Sequence, residues 1–382
     1  MTGFLKKKFK LFLNCSLSPP PTDYRILGKK GEGTFSEVLK CQSVRDGQMF
    51  ACKKMKQKYE TVEQVCNLRE VQAMRRLNPH VNVVELLEII FDRRSGTVAL
   101  VCELMEMNLY ELIKGRRKLL QEAQVKKYIF QLLKALEHMH KVGIFHRDVK
   151  PENILLRNDQ VKLADFGSVR SRYSRAPYTE YISTRWYRAP ECLLTDGYYS
   201  YKMDLWSVGC CFHELLCLHP LFPGQNEIDQ VDKIHDILGT PSKEILDKFQ
   251  HRNGQINFNF AIKKGSGIEK FLTHISQSAI ELIYKLCEYD FEIRPTAKQA
   301  LHNAYFKDLR DLERRKSSVH KLLLQQSREN ENRNGKEYEN RDSLTKLEGG
   351  LEIGKAGKLG KIDEKKMGTK YGKGNTGEGF LS

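Results

Sequence analysis

The 382-residue chain contains no apolar run near the ~18–20 residues that a membrane-crossing helix needs. After a basic start its apolar stretch, Leu11-Phe12-Leu13-Asn14-Cys15, ends too soon for the core of a signal peptide, so a cytoplasmic protein is expected. Thr2 stands where myristoylation would require glycine. The ten cysteines include no Cys-x-x-Cys and only one adjacent pair, Cys210-Cys211. A disulfide framework or a structural zinc site needs regular spacing, so these are expected to be reduced, mostly buried thiols. No Cys or carboxylate completes a metal set with His138 and His140, which read as packing residues at a helix end. Internal repeats are absent too, which excludes a solenoid.

Hydrophobic residues make up 40% of the chain, enough to build a core. The 64 Lys and Arg against 48 Asp and Glu leave a net charge of +16, which favours anionic partners without choosing among them. The basic runs Lys6–Lys10 and Lys114–Lys118 lack an interleaved aromatic platform, so they read as solvated faces and no nucleic acid is expected. Three zones follow from composition. Residues 1–23 form a basic extension ending in Pro19-Pro20-Pro21-Thr22, expected to be disordered. Residues 24–306 carry mixed periodicity. Residues 307–382 turn charged, then Gly- and Lys-rich, and are expected to be a disordered tail apart from a helical turn over Val319–Leu324.

Within the middle zone, period-two patterns predict strands over Tyr24–Gly33, Phe35–Gln42, Met49–Met55, Val84–Phe91 and Val98–Glu103. A helical stripe runs through Val62, Val65, Leu68, Val71 and Met74 and predicts one helix to Leu77. From Asn108 onward the pattern is helical, over Gln121–His140, Met203–His213, Ile228–Ile237 and Ile275–Leu286. The expected fold is α+β and bilobal. A small β-rich lobe with one helix spans residues 24–105, and a larger helical lobe spans 106–306.

Three motifs carry chemistry. Gly31-Glu32-Gly33-Thr34-Phe35-Ser36-Glu37-Val38 sits between two predicted strands, where glycines let a hairpin lie against a polyphosphate. Alone it is weak, and Ser36 takes the place of the third glycine. Ala51-Cys52-Lys53 ends the apolar part of the next strand; holding that lysine inward needs a carboxylate on the following helix, and Glu70 suits. The specific signal is His146-Arg147-Asp148-Val149-Lys150-Pro151-Glu152-Asn153, followed after a short strand by Asp165-Phe166-Gly167. Phosphoryl transfer needs a carboxylate to orient the attacking hydroxyl and oxygen ligands for Mg²⁺ beside the phosphates. Asp148, Asn153 and Asp165 supply all three.

This set resembles the eukaryotic protein kinase family over residues ~24–306, with Ala189-Pro190-Glu191, Asp204 and Arg294 also in place. Lys150 resembles the serine/threonine branch. Thr179-Glu180-Tyr181 and Ser183-Thr184-Arg185-Trp186-Tyr187-Arg188 are similar to the CMGC group and, within it, to the MAK/MRK branch. The resemblance implies ATP and Mg²⁺ as cofactors. It implies that Lys53 holds the α- and β-phosphates and pairs with Glu70, and that Asp148 and Lys150 act at the transferred group. Asn153 and Asp165 would ligate Mg²⁺. Gly31 to Ser36, Val38, Ala51, Cys102 (the gatekeeper place), Glu103 and Met105 would enclose the nucleotide. Partners would be protein substrates with Ser or Thr followed by Pro, the preference set by Arg188, and an upstream activating kinase unless the chain phosphorylates itself. Phosphate on Thr179 would be received by Arg69, Arg147 and Arg170, and phosphate on Tyr181 by Arg185 and Arg188. A monomer in the cytoplasm, with nucleus and cilium as further sites, completes the expectation. A catalytically silent scaffold would have lost Lys53, Asp148 or Asp165; all three are present.

Overall fold

A computed structural model describes residues 24–174, 176–178, 185–253, 258–319, 322–323 and 325–326. The chain opens with strands β1 (Tyr24–Glu32), β2 (Ser36–Ser43) and β3 (Met49–Met55). Helices α1 (Val62–Cys66) and α2 (Arg69–Leu77) follow, then β4 (Leu86–Asp92) and β5 (Thr97–Glu103). These five strands form one antiparallel sheet in the order β1-β2-β3-β5-β4. The pleat sends alternate side chains to opposite faces. Leu39, Cys41, Phe50, Cys52, Ile90, Ala99 and Val101 close a small cluster on the outer face. Val38, Ala51, Lys53 and Cys102 are therefore left to the inner one.

The expected single helix over 62–77 is two helices. Thr61 caps α1 by accepting from the Gln64 N–H, and at Leu68 the backbone becomes extended (φ −57°, ψ 130°), which ends the first helix. The apolar stripe continues across the break because Val65, Val71 and Met74 all bury into the same core. The break places Glu70 in the first turn of α2, where the helix dipole favours a carboxylate.

The second lobe carries β6 (Met107–Asn108), α3 (Leu109–Ile113), α4 (Glu122–Lys141), β7 (Ile144–Phe145), β8 (Ile154–Arg157), β9 (Gln160–Leu163) and β10 (Arg170–Ser171). Then come α5 (Pro190–Leu193), α6 (Met203–Cys217), α7 (Glu227–Leu238), α8 (Lys243–Gln250), α9 (Gln277–Leu286) and α10 (Ala297–Leu301). Helix α4 buries Val125, Ile129, Leu132, Leu133, Leu136 and Met139, the i, i+3, i+4, i+7 face that its sequence predicts. Each such side chain contributes roughly 1.5–3 kcal/mol of burial. Helix α6 is buried on every side up to Leu216, so its charged groups need partners inside the protein.

The tail departs from expectation where it begins. Residues 307–319 are helical rather than a disordered stretch starting at 307, as are residues 322–323 and 325–326. Up to Arg314 the reason is visible: Asp308 pairs with Lys126 (2.6 Å), Glu313 with Lys134 (2.6 Å), and Arg310 donates to the carbonyls of Leu301 and Asn303 (2.7 and 2.6 Å). Among the described residues the cysteines are all free thiols, as expected, and no helix is long and apolar enough to cross a membrane.

Candidate active site

Register in the sheet assembles the first wall. Val38 on β2 pairs with Lys53 on β3, Lys53 with Leu100 on β5, and Ala51 with Cys102. Val38, Ala51, Lys53 and Cys102 thus share one face, above which the β1–β2 turn closes with Gly33 N–H donating to the Ser36 carbonyl (2.8 Å). Nothing lies within 4 Å of where a Cβ on Gly31 would stand, so packing within the fold does not demand a glycine there. Glu32 pairs with Lys56 (2.8 Å), Thr34 and Phe35 are exposed at the tip, and Ser36 is buried. At the far end of β5, Glu103 is bonded to Lys162 (2.6 Å) and to the Glu85 N–H (2.8 Å), while Met105 is buried. Burial pushes the Cys102 thiol up to about 12, so it stays protonated.

Lys53 Nζ reaches Glu70 Oε1 at 2.6 Å and Asp165 Oδ1 at 2.9 Å. Burial pulls the ammonium pKa down, but the two carboxylates outweigh it and hold Lys53 above the ordinary lysine value. Burial raises the Glu70 carboxyl. Asp165, half-exposed, is held below the usual carboxylate value because Lys53 outweighs its burial.

The catalytic-loop motif is held from below by buried Asp204 on α6. Its carboxylate accepts from the N–H groups of His146 (2.9 Å) and Arg147 (2.8 Å), and His140 Nε2 lies 2.8 Å from Oδ2. The Asp148 N–H donates to His146 Nδ1 (3.2 Å), which leaves the ring proton on Nε2, bonded to the Ala164 carbonyl (3.0 Å). Asn153 turns its amide nitrogen to the Asp148 carbonyl (2.8 Å) and Oδ2 (3.0 Å), and Lys150 lies 3.1 Å from Asp148 Oδ1. A lysine tied to two carboxylates, and an aspartate braced by an asparagine and a second lysine, thus converge from opposite lobes.

Residues 24–306 match the protein kinase domain family. The chain is 58% identical over 299 residues to the MAPK/MAK/MRK overlapping kinase of Homo sapiens, an alignment covering 78% of this chain and 71% of that protein. It belongs to the serine/threonine protein kinases. Within them it groups with the MAK-like CMGC kinases: it is 43% identical over 284 residues to the serine/threonine-protein kinase ICK of Mus musculus (74% of this chain, 45% of that protein). The serine/threonine-protein kinase MAK of Homo sapiens is 41% identical over the same length, with the same coverage.

Three of the candidate phosphate-receiving arginines lie near one another in the kinase. Arg170 and Arg147 lie close enough to Arg69 to lower its pKa by repulsion. Arg185 donates to the Gln225 carbonyl (3.2 Å), and among the contacts of Arg188 is Glu227 (3.2 Å). The first three are the set expected for phosphate on Thr179, and the last two the pair expected for phosphate on Tyr181. Thr179 and Tyr181 lie outside the described residues. Sequence reasoning did not anticipate Tyr199, whose hydroxyl accepts from Arg147 Nη1 (2.9 Å). An isolated tyrosine 52 positions downstream gives no local signal.

Proposed function

We propose that this kinase transfers the γ-phosphoryl group of Mg-ATP to Ser or Thr hydroxyls of proteins, with Pro next after the acceptor. The observation that carries this reading is the joint geometry of Lys53–Glu70–Asp165 and Asp148–Asn153–Lys150. Glu70 keeps Lys53 inward and charged, so its ammonium can bind the α- and β-phosphates. Asp148, bonded through one oxygen to Asn153 and ion-paired through the other with Lys150, orients the substrate hydroxyl and accepts its proton. Lys150 then offsets charge developing on the transferred group. The Asp165 carboxylate and the Asn153 amide oxygen are hard donors that fit Mg²⁺, which commonly takes one or two protein oxygens alongside phosphates. When bound, the metal neutralises charge on the β- and γ-phosphate oxygens. Val38, Ala51 and Cys102 cover the base, and Glu103 and Met105 offer it backbone groups.

Phosphorylation of Thr179 and Tyr181 by an upstream kinase or by the chain itself raises activity. The gathering of Arg69, Arg147 and Arg170 supports the first of these sites. The enzyme acts as a monomer in the cytoplasm, with nucleus and cilium as further locations. The kinase domain of residues 24–306 carries the chemistry, residues 307–314 brace it, and the remaining extensions serve partners. Incubating the full chain and Lys53→Met with a degenerate Ser/Thr peptide pool and Mg-ATP tests this. Phosphate incorporation by the wild type alone, enriched for Pro after the acceptor, is expected; equal incorporation by both proteins refutes the site, and no Pro enrichment refutes the specificity.

A further inference from the structure

Arg147 sits immediately before Asp148 and has φ of 70°, the left-handed region that a side chain other than glycine enters only under constraint. Asp204 fixes its backbone N–H. Its side chain is fixed twice more: Nε donates to the Ser168 carbonyl (2.6 Å), just after Asp165-Phe166-Gly167, and Nη1 donates to the buried Tyr199 hydroxyl (2.9 Å). Release of the guanidinium removes part of what keeps residue 147 in this conformation, and any relaxation there turns Asp148.

A second observation leads to the same tyrosine. Tyr178 packs its ring on Tyr199 (5.1 Å between centroids) and on Phe145 (5.7 Å), and its N–H donates to the Gly197 carbonyl (2.8 Å). Gly197 has φ of +79°, and a Cβ there would stand 2.2 Å from the Tyr178 carbonyl oxygen, so this close approach requires glycine. The loop carrying Tyr199 is itself fastened by Thr195, whose hydroxyl donates to the Glu191 carbonyl (2.5 Å) and accepts from the Tyr198 N–H (3.0 Å). Tyr199 therefore joins Arg147, on the catalytic loop, to Tyr178, in the segment between Asp165-Phe166-Gly167 and Ala189-Pro190-Glu191.

We propose that the Tyr199 hydroxyl is a positioning group for catalysis, holding Arg147, and through it Asp148, in working geometry before any phosphate is added. It does for Arg147 part of what a phosphate would do, as a neutral acceptor in place of a charged one. This rests on the reading of Asp148 as the group that orients the substrate hydroxyl.

Tyr199→Phe removes the acceptor and keeps the ring against Tyr178. In phosphatase-treated enzyme it is expected to lower kcat about tenfold, the factor that about 1.4 kcal/mol sets. KM for ATP stays at its wild-type value, and the thermal midpoint falls by only a few degrees, as the loss of one buried hydrogen bond requires. In the phosphorylated enzyme the loss shrinks to within about twofold, because phosphate oxygens bind the guanidinium more strongly than a hydroxyl does. An equal loss in both forms assigns Tyr199 a general structural role and overturns the proposal. Unchanged kcat in the phosphate-free form, or a phosphate-free wild type that is inert, overturns it too. If wild-type turnover ignores phosphorylation, the switch fails, and a kcat loss in Tyr199→Phe upholds the proposal only where it is larger in the phosphate-free form. Full activity in Asp148→Asn would instead refute the site assignment.

Discussion

Arg294→Met tests whether one buried ion pair holds the larger lobe together. Arg294 and Glu191 are both fully buried, and the guanidinium grips the carboxylate through two bonds of 2.6 and 2.9 Å. Removing the cation leaves an uncompensated buried carboxylate, a cost of about 3–5 kcal/mol. The same guanidinium donates to the carbonyls of Glu288 (2.9 and 2.8 Å) and Lys202 (3.1 Å). Losing those donors adds about 1 kcal/mol for each carbonyl. The total, about 5–7 kcal/mol, matches the whole stability of many domains, so the variant should be largely unfolded at 37 °C. Urea titration followed by tryptophan fluorescence reads this directly, because the guanidinium carbon lies 5.3 Å from the Trp206 ring. Replacing Glu191 by Met as well removes the stranded charge and should recover more than half of the loss. A single variant with the wild-type urea midpoint, or a double variant no better than the single, refutes the reasoning.

Lys53→Met and Asp165→Ala should each reduce phosphotransfer at least about 100-fold while the circular dichroism spectrum is retained, and near-wild-type incorporation of labelled phosphate by either rejects its role. Burial raises the Glu214 carboxyl from 4.5 to about 7. Between those values the folded chain keeps a proton that the unfolded chain has released, so stability falls as pH rises across that window and is level above it. Glu214→Gln should abolish that slope and gain up to about 3 kcal/mol at pH 8; identical pH profiles for the two proteins count against it. A chain ending at residue 319 should keep its phosphotransfer activity. One ending at 306 loses the Asp308 and Glu313 pairs and the packing of Leu309, and should be less stable by about 2 kcal/mol in chemical denaturation.

Much of the site is local chemistry and was legible for that reason. Within His146–Asn153 a few residues of fixed spacing place Asp148, Lys150 and Asn153 against one another, and the strand that follows delivers Asp165. Strand positions were readable from period-two alternation, whereas the pairing that sets Lys53 on one face with Val38 and Ala51 came from the fold. The α1–α2 break was not readable, since side chains on either side bury into one core and periodicity continues across it. Residues 307–319 looked like solvated tail because Asp308 and Glu313 find their partners on α4, 182 and 179 residues back.

The sequence by itself determined the chemistry: which residues bear charge, where glycines free the backbone, and which spacing sets a base beside its brace. The tertiary structure alone decided which of several chemically equivalent groups meet. Arg69, Arg147 and Arg185 carry the same guanidinium, yet the first lies in the field of the second, while Arg185 donates to the Gln225 carbonyl. Charge is a property of the residue, whereas the distance that gives it an energy belongs to the fold.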